Sequence, residues 1–250
     1  MNAAATKTPN ANAPKNRRDE PQRDLNQLFD RLLKGFKAKH DEGRKLQETT
    51  ADDFNLLETL QISGDEVRHS MLLAWLLGRE DTHAQGNLGF RLFLKEFGLP
   101  DEYASTQYFV RREKSGAESR IDVEVEARGK FIIHIENKIH SVEGNIASRE
   151  DNQQTKNELK DLQHRALELG NIKPENIHAF YLTLDGHAPA SSGFDPILWR
   201  QIADVLDEFS ARSKAKHVRL FATHYAAALR RMTFEETQIY EDENHARSES

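Results

Sequence analysis

The stretch that decides the fold is SRIDVEVEARGKFIIHIENKI, residues 119–139. Apolar and polar residues alternate on both sides of a glycine, which predicts two antiparallel strands joined by a turn. Asp122 lies on the polar face of the first strand, and Glu136 and Lys138 lie on the polar face of the second. The hairpin therefore gathers two acids and an amine, provided that the two polar faces coincide.

The length of the loop decides whether those faces coincide. Asp122 and Glu136 are an even number of residues apart, so they face each other only across an odd-numbered loop or a bulge. We predict the three-residue loop Arg128-Gly129-Lys130, with the glycine in the left-handed region. A two-residue turn would place Asp122 opposite Ile135 instead.

The predicted register brings two carboxylates to roughly 5 Å from each other across the strands. Such acids repel unless a cation lies between them, and oxygen ligands favour Mg²⁺, with Mn²⁺ as a substitute. We expect Asp122 and Glu136 to bind the metal, with a further oxygen from the Asn137 carbonyl. Lys138 then orients the attacking water or stabilises the transition state, so the pattern indicates hydrolysis of a phosphodiester.

Simpler interpretations of the same residues stay open. Charged residues make up 30% of the chain, so the two acids and Lys138 also fit the solvated face of a hairpin. Glu66 follows Ser63 by three residues and precedes an apolar run, the spacing of a helix capping box. For His134, on the acid face, we expect a structural or substrate-contacting role rather than metal binding, and for Glu124 and Glu126, contact with helix side chains or solvent.

The hairpin belongs to a longer series of predicted elements: a helix, three strands, a helix and a strand, at residues 65–78, 106–112, 119–127, 130–138, 148–169 and 176–184. Because a helix connects the last two strands, we expect these strands to be parallel. With Ile121-Asp122 and Glu136-Asn137-Lys138 as its motifs, the chain resembles the PD-(D/E)XK nuclease superfamily, in particular a branch of uncharacterised and defence-associated nucleases. The resemblance implies an α/β, restriction-endonuclease-like three-layer fold, an αβββαβ core with a mixed central sheet flanked by helices and extra helices at both ends.

The resemblance extends to the blocks at residues 66–94 and 180–186 and implies further site residues. An acid on the first helix of the family reaches the metal, which makes Glu66 a metal ligand and catalytic residue. The family carries Gln-x-x-x-Tyr after the third strand; here Gln153 is the candidate for contacting phosphate, although Asn157 follows it. Two basic residues, Arg120 and Lys156, are further candidates for substrate binding.

By this resemblance the chain is a Mg²⁺-dependent nuclease that hydrolyses DNA phosphodiester bonds, an endonuclease rather than an exonuclease, in prokaryotic defence or restriction. Its partner is nucleic acid, DNA before RNA, and a homodimer stays open. The alternative is a catalytically lapsed nucleic-acid-binding or interaction protein on the same fold, which the altered glutamine motif favours.

Composition narrows the classes of protein that remain. The chain has no cysteine, which excludes disulfides, thiolate zinc sites and cysteine nucleophiles. The net charge of −6 argues against non-specific coating of DNA. No apolar run reaches membrane-spanning length, so we expect a cytoplasmic protein without a membrane partner. We predict a nuclease-like domain at 23–235 between disordered tails at 1–22 and 236–250.

Overall fold

The computed structural model describes residues 20–115, 120–139, 149–189 and 191–248. Within these ranges, side chains are described except at residues 20–26, 113–115, 120–121, 149–153 and 235–248. The chain divides into two compact units, residues 1–54 and 55–250. The described part of the first unit is dominated by one long helix, α1 (Glu20–Thr50).

The second unit is an α/β domain built on a mixed sheet. Its helices are α2 (Leu56–Thr59), α3 (Glu66–Leu77), α4 (Leu88–Glu96), α5 (Glu102–Ser105), α6 (Arg149–Glu168), α7 (Trp199–Arg212) and α8 (Lys216–Ser248). Its strands are β1 (Phe109–Ser115), β2 (Arg120–Ala127), β3 (Phe131–Asn137), β4 (Ile177–Thr183) and β5 (Asp195–Leu198), in that spatial order. The first three strands are antiparallel, and β3, β4 and β5 are parallel. The predicted αβββαβ core, consistent with a restriction-endonuclease-like fold, is confirmed.

The β2–β3 hairpin has the predicted odd loop. Ala127 pairs with Phe131, which leaves three residues in the loop, and the same register continued along the strands sets Asp122 opposite Glu136. Gly129, at the centre of the loop, has a φ of 65°, a conformation that a residue with a Cβ adopts at a cost. The polar faces of the two strands therefore coincide.

The two faces of the sheet bury different chemistry. One face packs apolar side chains against α3, α4, α7 and α8 and forms the larger hydrophobic core. The other face lies under α6 and forms a smaller core around Ile132 and Leu162. That second face also holds Glu124, His134 and Glu136, each at most 1% exposed. The interpretation as a solvated charged face is wrong, because α6 covers it.

The start of α3 differs from the expected capping box. Asp65 is the N-cap residue, and its side chain accepts a hydrogen bond of 3.0 Å from the Arg68 N–H. Glu66 is therefore the first residue of the helix and not the third, so its side chain is available to contact β3.

The ends of the described chain are helical. Residues 20–22 and 236–248, which we expected to be disordered, lie in α1 and α8. The glutamate-rich composition of the C-terminal segment favours helix, and it continues the helix that begins in the core. The rest of the predicted tails, residues 1–19 and 249–250, lies outside the described residues, and the domain limits stay a prediction.

Candidate active site

The candidate catalytic residues meet at the carboxyl end of β3. The Nζ of Lys138 lies 2.8 Å from the Oε1 of Glu136, two residues earlier on the strand. The N–H of Asn137 donates a hydrogen bond of 3.0 Å to the Oδ2 of Asp122 on β2. The hairpin register thus brings together the two acids and the amine that the sequence pattern predicts.

Glu66 joins this group from α3. Its Oε1 accepts a hydrogen bond of 2.9 Å from the N–H of Ile139, directly after Lys138. The side-chain amide of Asn137 donates to the Glu66 carbonyl at 2.9 Å and to the Ser70 Oγ at 3.1 Å. The Asn137 side chain therefore holds the start of α3 against β3, while a metal-binding role for its backbone carbonyl stays a prediction.

Two residues of α6 that the sequence analysis did not select complete the site. The Nε2 of Gln154 donates 2.8 Å hydrogen bonds to the Oε1 atoms of both Glu136 and Glu158. Gln154 and Glu158 are four residues apart, which places them on one face of a helix. That spacing was visible in the sequence, but the motif was assigned one residue earlier, to Gln153, whose side chain lies outside the described residues.

The electrostatics of the site reflect a surplus of buried acid. Burial raises the pKa of Asp122, and the nearby charges of Glu158 and Glu66 raise it further. Burial, followed by Asp122 and Glu158, raises the pKa of Glu136 well above its usual value. Burial alone would lower the pKa of Lys138, but Glu136 and Glu66 outweigh it and raise that pKa. We call Asp122, Glu136, Glu158 and Lys138 the active-site cluster.

The same face of the sheet holds a second group of acids nearer the hairpin turn. Arg165 of α6 lies 3.5 Å from the Oε1 of Glu124 and donates a hydrogen bond to Glu126. The Nε of Arg111 donates to the other Glu126 oxygen at 2.8 Å. Burial would raise the pKa of Glu126, but its hydrogen bond with Glu124 and the two arginines lower it. We call these four residues the arginine-balanced cluster; its glutamates meet a helix side chain, as expected.

The donor atoms of the active-site cluster fit a divalent cation. Among the described residues, the Oε2 atoms of Glu136 and Glu158 are buried without a hydrogen-bond partner. An unsatisfied buried carboxylate oxygen is costly, and a cation removes that cost. Carboxylates are the ligands that Mg²⁺ and Mn²⁺ prefer.

The predicted substrate-binding residues stay predictions. Arg120 begins β2, with its side chain outside the described part of the chain, and Lys156 is exposed on α6. A cavity of about 680 Å³ lies near the ends of β4 and β5. Its lining combines three arginines with one acid, one threonine and apolar side chains: Arg200, Arg230, Arg231, Asp185, Thr233, Leu184, Leu198 and Phe234.

Comparison with known proteins identifies the family of the chain. The family model described as the PD-(D/E)XK nuclease superfamily matches residues 54–248. No curated protein and no solved structure matches the chain. Of the helices in the described ranges, none combines the length and apolarity needed to cross a bilayer.

Proposed function

The chain belongs to the PD-(D/E)XK nuclease superfamily, and from this premise we propose that it is a Mg²⁺-dependent nuclease that hydrolyses DNA phosphodiester bonds. Membership supports a nuclease-type function generally, since the superfamily typically consists of metal-dependent phosphodiesterases. The observation that carries the finer proposal is the meeting of Asp122, Glu136 and Lys138 at the end of β3, with Glu66 beside them.

Each residue of the site has a distinct role in this proposal. Asp122, Glu136 and Glu66 hold the metal, together with the carbonyl of Asn137. The bound metal supplies a Lewis acid and a lowered pKa for water. The ammonium of Lys138, fixed by its ion pair with Glu136, stabilises negative charge on the phosphate as water attacks.

The glutamine on α6 supports retained catalysis. The alternative, a lapsed nuclease that only binds nucleic acid, depended on an altered glutamine motif. Gln154 contacts Glu136 directly and fixes the orientation of its carboxylate. A site whose metal ligand is held this way is preorganised for catalysis.

The arginine-lined cavity supports nucleic acid as the substrate. Because β3, β4 and β5 are parallel, their carboxyl ends share one edge of the sheet, where ligands of such sheets bind. Because neighbouring strands lie about 4.8 Å apart, the ends of β4 and β5 are close to the end of β3, where the catalytic residues meet. Arg200 follows β5 at this edge and has no ion pair among the described residues, so it suits a backbone phosphate. DNA as the polymer, endonucleolytic cleavage and a cytoplasmic role in prokaryotic defence rest on the resemblance.

Cleavage of a circular plasmid tests this function. We expect the wild-type protein with Mg²⁺ to nick or linearise supercoiled DNA, and EDTA to stop it. Glu136→Gln and Lys138→Met should be inactive, whereas Lys173→Met, a change of an exposed lysine away from the site, should not affect cleavage. Because a circle has no ends, its cleavage identifies an endonuclease. Binding without cleavage under both Mg²⁺ and Mn²⁺ would contradict the proposal and favour the binding protein.

A further inference from the structure

We propose that His134, Glu136 and Glu158 form a second divalent-cation site, on the α6 side of β3, that takes a transition-metal ion such as Mn²⁺ in preference to Mg²⁺. The site deepens the proposed function, because it shares Glu136 with the first metal. Its other two ligands, His134 and Glu158, are not among the residues that the sequence motif predicts.

The geometry brings three donor atoms together in a closed environment. One ligand atom from each of His134, Glu136 and Glu158 lies within 4.8 Å of the others. Opposite ligands of a cation with bonds of up to 2.2 Å are about 4.4 Å apart, so a shift of a few tenths of an ångström closes the shell. All three residues are at most 1% exposed, which leaves water little access.

The hydrogen bonding of His134 indicates a missing partner. Neither ring nitrogen of this fully buried histidine has a hydrogen bond among the described residues. Its Nε2 lies 3.6 Å from the Oε2 of Glu158, which is too long for a hydrogen bond. In the described part of the chain, the Oε2 atoms of Glu158 and Glu136 lack hydrogen-bond partners as well. A cation ligated by one ring nitrogen of His134 and by the two Oε2 atoms gives each of the three residues a partner, whereas a plain histidine–glutamate pair does not.

The chemistry of the donors sets the class of ion. Imidazole nitrogen suits transition-metal ions, while Mg²⁺ prefers oxygen and retains water. Mn²⁺ is a transition-metal ion that also takes carboxylate ligands, which suits a set of one imidazole and two glutamates. Glu158 and the shared Glu136 supply negative charge to the cation, and the neutral imidazole supplies a nitrogen ligand without adding charge. In the arginine-balanced cluster, the charge of the buried glutamates is compensated differently, because Arg165 of the same helix supplies the positive charge.

Glu158 makes this site a property of the chain rather than of the general motif. It follows Gln154 by four residues, and the Gln154 side chain donates to both Glu158 and Glu136. The glutamine motif of the resembled family has a tyrosine at the corresponding position, which offers a neutral hydroxyl. A buried carboxylate there adds a charge, and a cation is the group that compensates it.

Equilibrium dialysis of the full chain against Mn²⁺ tests the proposal without using activity. We expect the wild-type protein to bind two Mn²⁺ per chain, and His134→Leu and Glu158→Gln to bind one. His178→Gln, which changes a half-buried histidine on the neighbouring strand, should keep two. With Co²⁺, the visible absorption of an imidazole-ligated ion should disappear in His134→Leu.

The outcomes separate this site from the nuclease itself. One Mn²⁺ or none in the wild type, or two in a folded Glu158→Gln protein, would overturn the second site. Glu158→Gln conserves shape and the contact with Gln154, so it keeps the test interpretable if His134→Leu unfolds. Two bound ions in a protein that leaves plasmid intact would support the site and count against the nuclease. Plasmid cleavage by a protein that binds one Mn²⁺ would support the nuclease and count against the second site.

Discussion

The active-site cluster and the arginine-balanced cluster lie on the same face of the sheet and share β2 and α6, yet their charges are balanced in opposite ways. In the arginine-balanced cluster, two guanidinium groups meet two glutamates, and the pKa of Glu126 is lowered. In the active-site cluster, the single ammonium group of Lys138 is ion-paired with Glu136 and faces three acids, and the pKa values of Asp122 and Glu136 are raised.

The difference separates a structural group of acids from a functional one. Buried acids with cationic partners need nothing else from solution. Buried acids without enough partners require a ligand, and here that ligand is positive. Both clusters place acids between the sheet and α6, so the balance of charge is the feature that distinguishes them.

Removing the shared carboxylate should have the largest effect. We expect Glu136→Gln to slow DNA cleavage at least about 10³-fold, equivalent to roughly 4 kcal/mol in the barrier. Glu136 is both a metal ligand and the partner of Lys138, and the change removes its charge. The free energy of unfolding without divalent cations should not fall, because the lost charge was buried at a cost. Cleavage kinetics and urea unfolding measure the two effects. A destabilised Glu136→Gln protein would mean that Glu136, like the acids of the arginine-balanced cluster, stabilises the fold.

Removing Arg165 should have the opposite effects: a loss of stability without a loss of cleavage. We expect Arg165→Met to lower the free energy of unfolding by about 3–5 kcal/mol, since two buried glutamates lose a partner. Cleavage by the folded fraction should persist. Urea denaturation checks this, and the triple variant Arg165→Met, Glu124→Gln, Glu126→Gln is the matched control, which should recover stability. If the triple variant stays as unstable as the single one, packing rather than charge explains the loss.

Mg²⁺ should stabilise the protein through the site that contains Asp122. At a Mg²⁺ concentration of 100 times its Kd, a single site adds about 2.7 kcal/mol to the free energy of unfolding. We expect this gain in the wild type, seen as a higher Tm than in EDTA, and its loss in Asp122→Asn. Equal gains in both proteins would mean that the ion binds elsewhere.

The contribution of the arginine-balanced cluster to the free energy of unfolding should depend on pH. Because the folded-state pKa of Glu126 is lowered, its contribution is present above its unfolded pKa of about 4.5 and disappears as the pH falls through the folded pKa. Arg165→Met removes that lowering, so the stability gap between wild type and variant should narrow below about pH 4.5. Urea unfolding from pH 7 to pH 3.5 measures the gap; a constant gap would contradict charge pairing.

The smallest expected effect comes from an arginine without a carboxylate partner. Arg230 is paired with Asp204 and Asp207, whereas Arg200 has no ion pair among the described residues. We expect Arg200→Ala to weaken DNA binding about threefold and to reduce the salt dependence by about one phosphate contact. Fluorescence anisotropy at several salt concentrations measures this. Unchanged affinity and salt slope would remove Arg200 from the DNA-binding surface.

The local features of the hairpin could be predicted from the sequence. Alternation sets the faces of β2 and β3, and Gly129 makes an odd loop accessible, so the pairing of Asp122 with Glu136 follows from nearby residues. The parallel arrangement of β3 and β4 follows from the helix between them. These inferences need no knowledge of distant contacts.

The residues of α6 could not be assigned in the same way. The helix is polar over much of its surface, so its pattern does not reveal which turn lies over β3, and a shift of one residue exchanges Gln153 for Gln154. Strand β5 has only four residues and gives little periodicity. Its place beside β4 depends on contacts far apart in the chain.

The side chain of Asn137, the middle residue of the Glu-Asn-Lys triplet, links the chemistry to the larger core. It anchors the first turn of α3, the helix whose Leu73, Leu76 and Leu77 are fully buried. A cavity created under that helix would shift Glu66 without touching any reacting group. Mild core damage could therefore inactivate this protein before unfolding it, and a screen for loss of activity would recover changes well outside the catalytic centre.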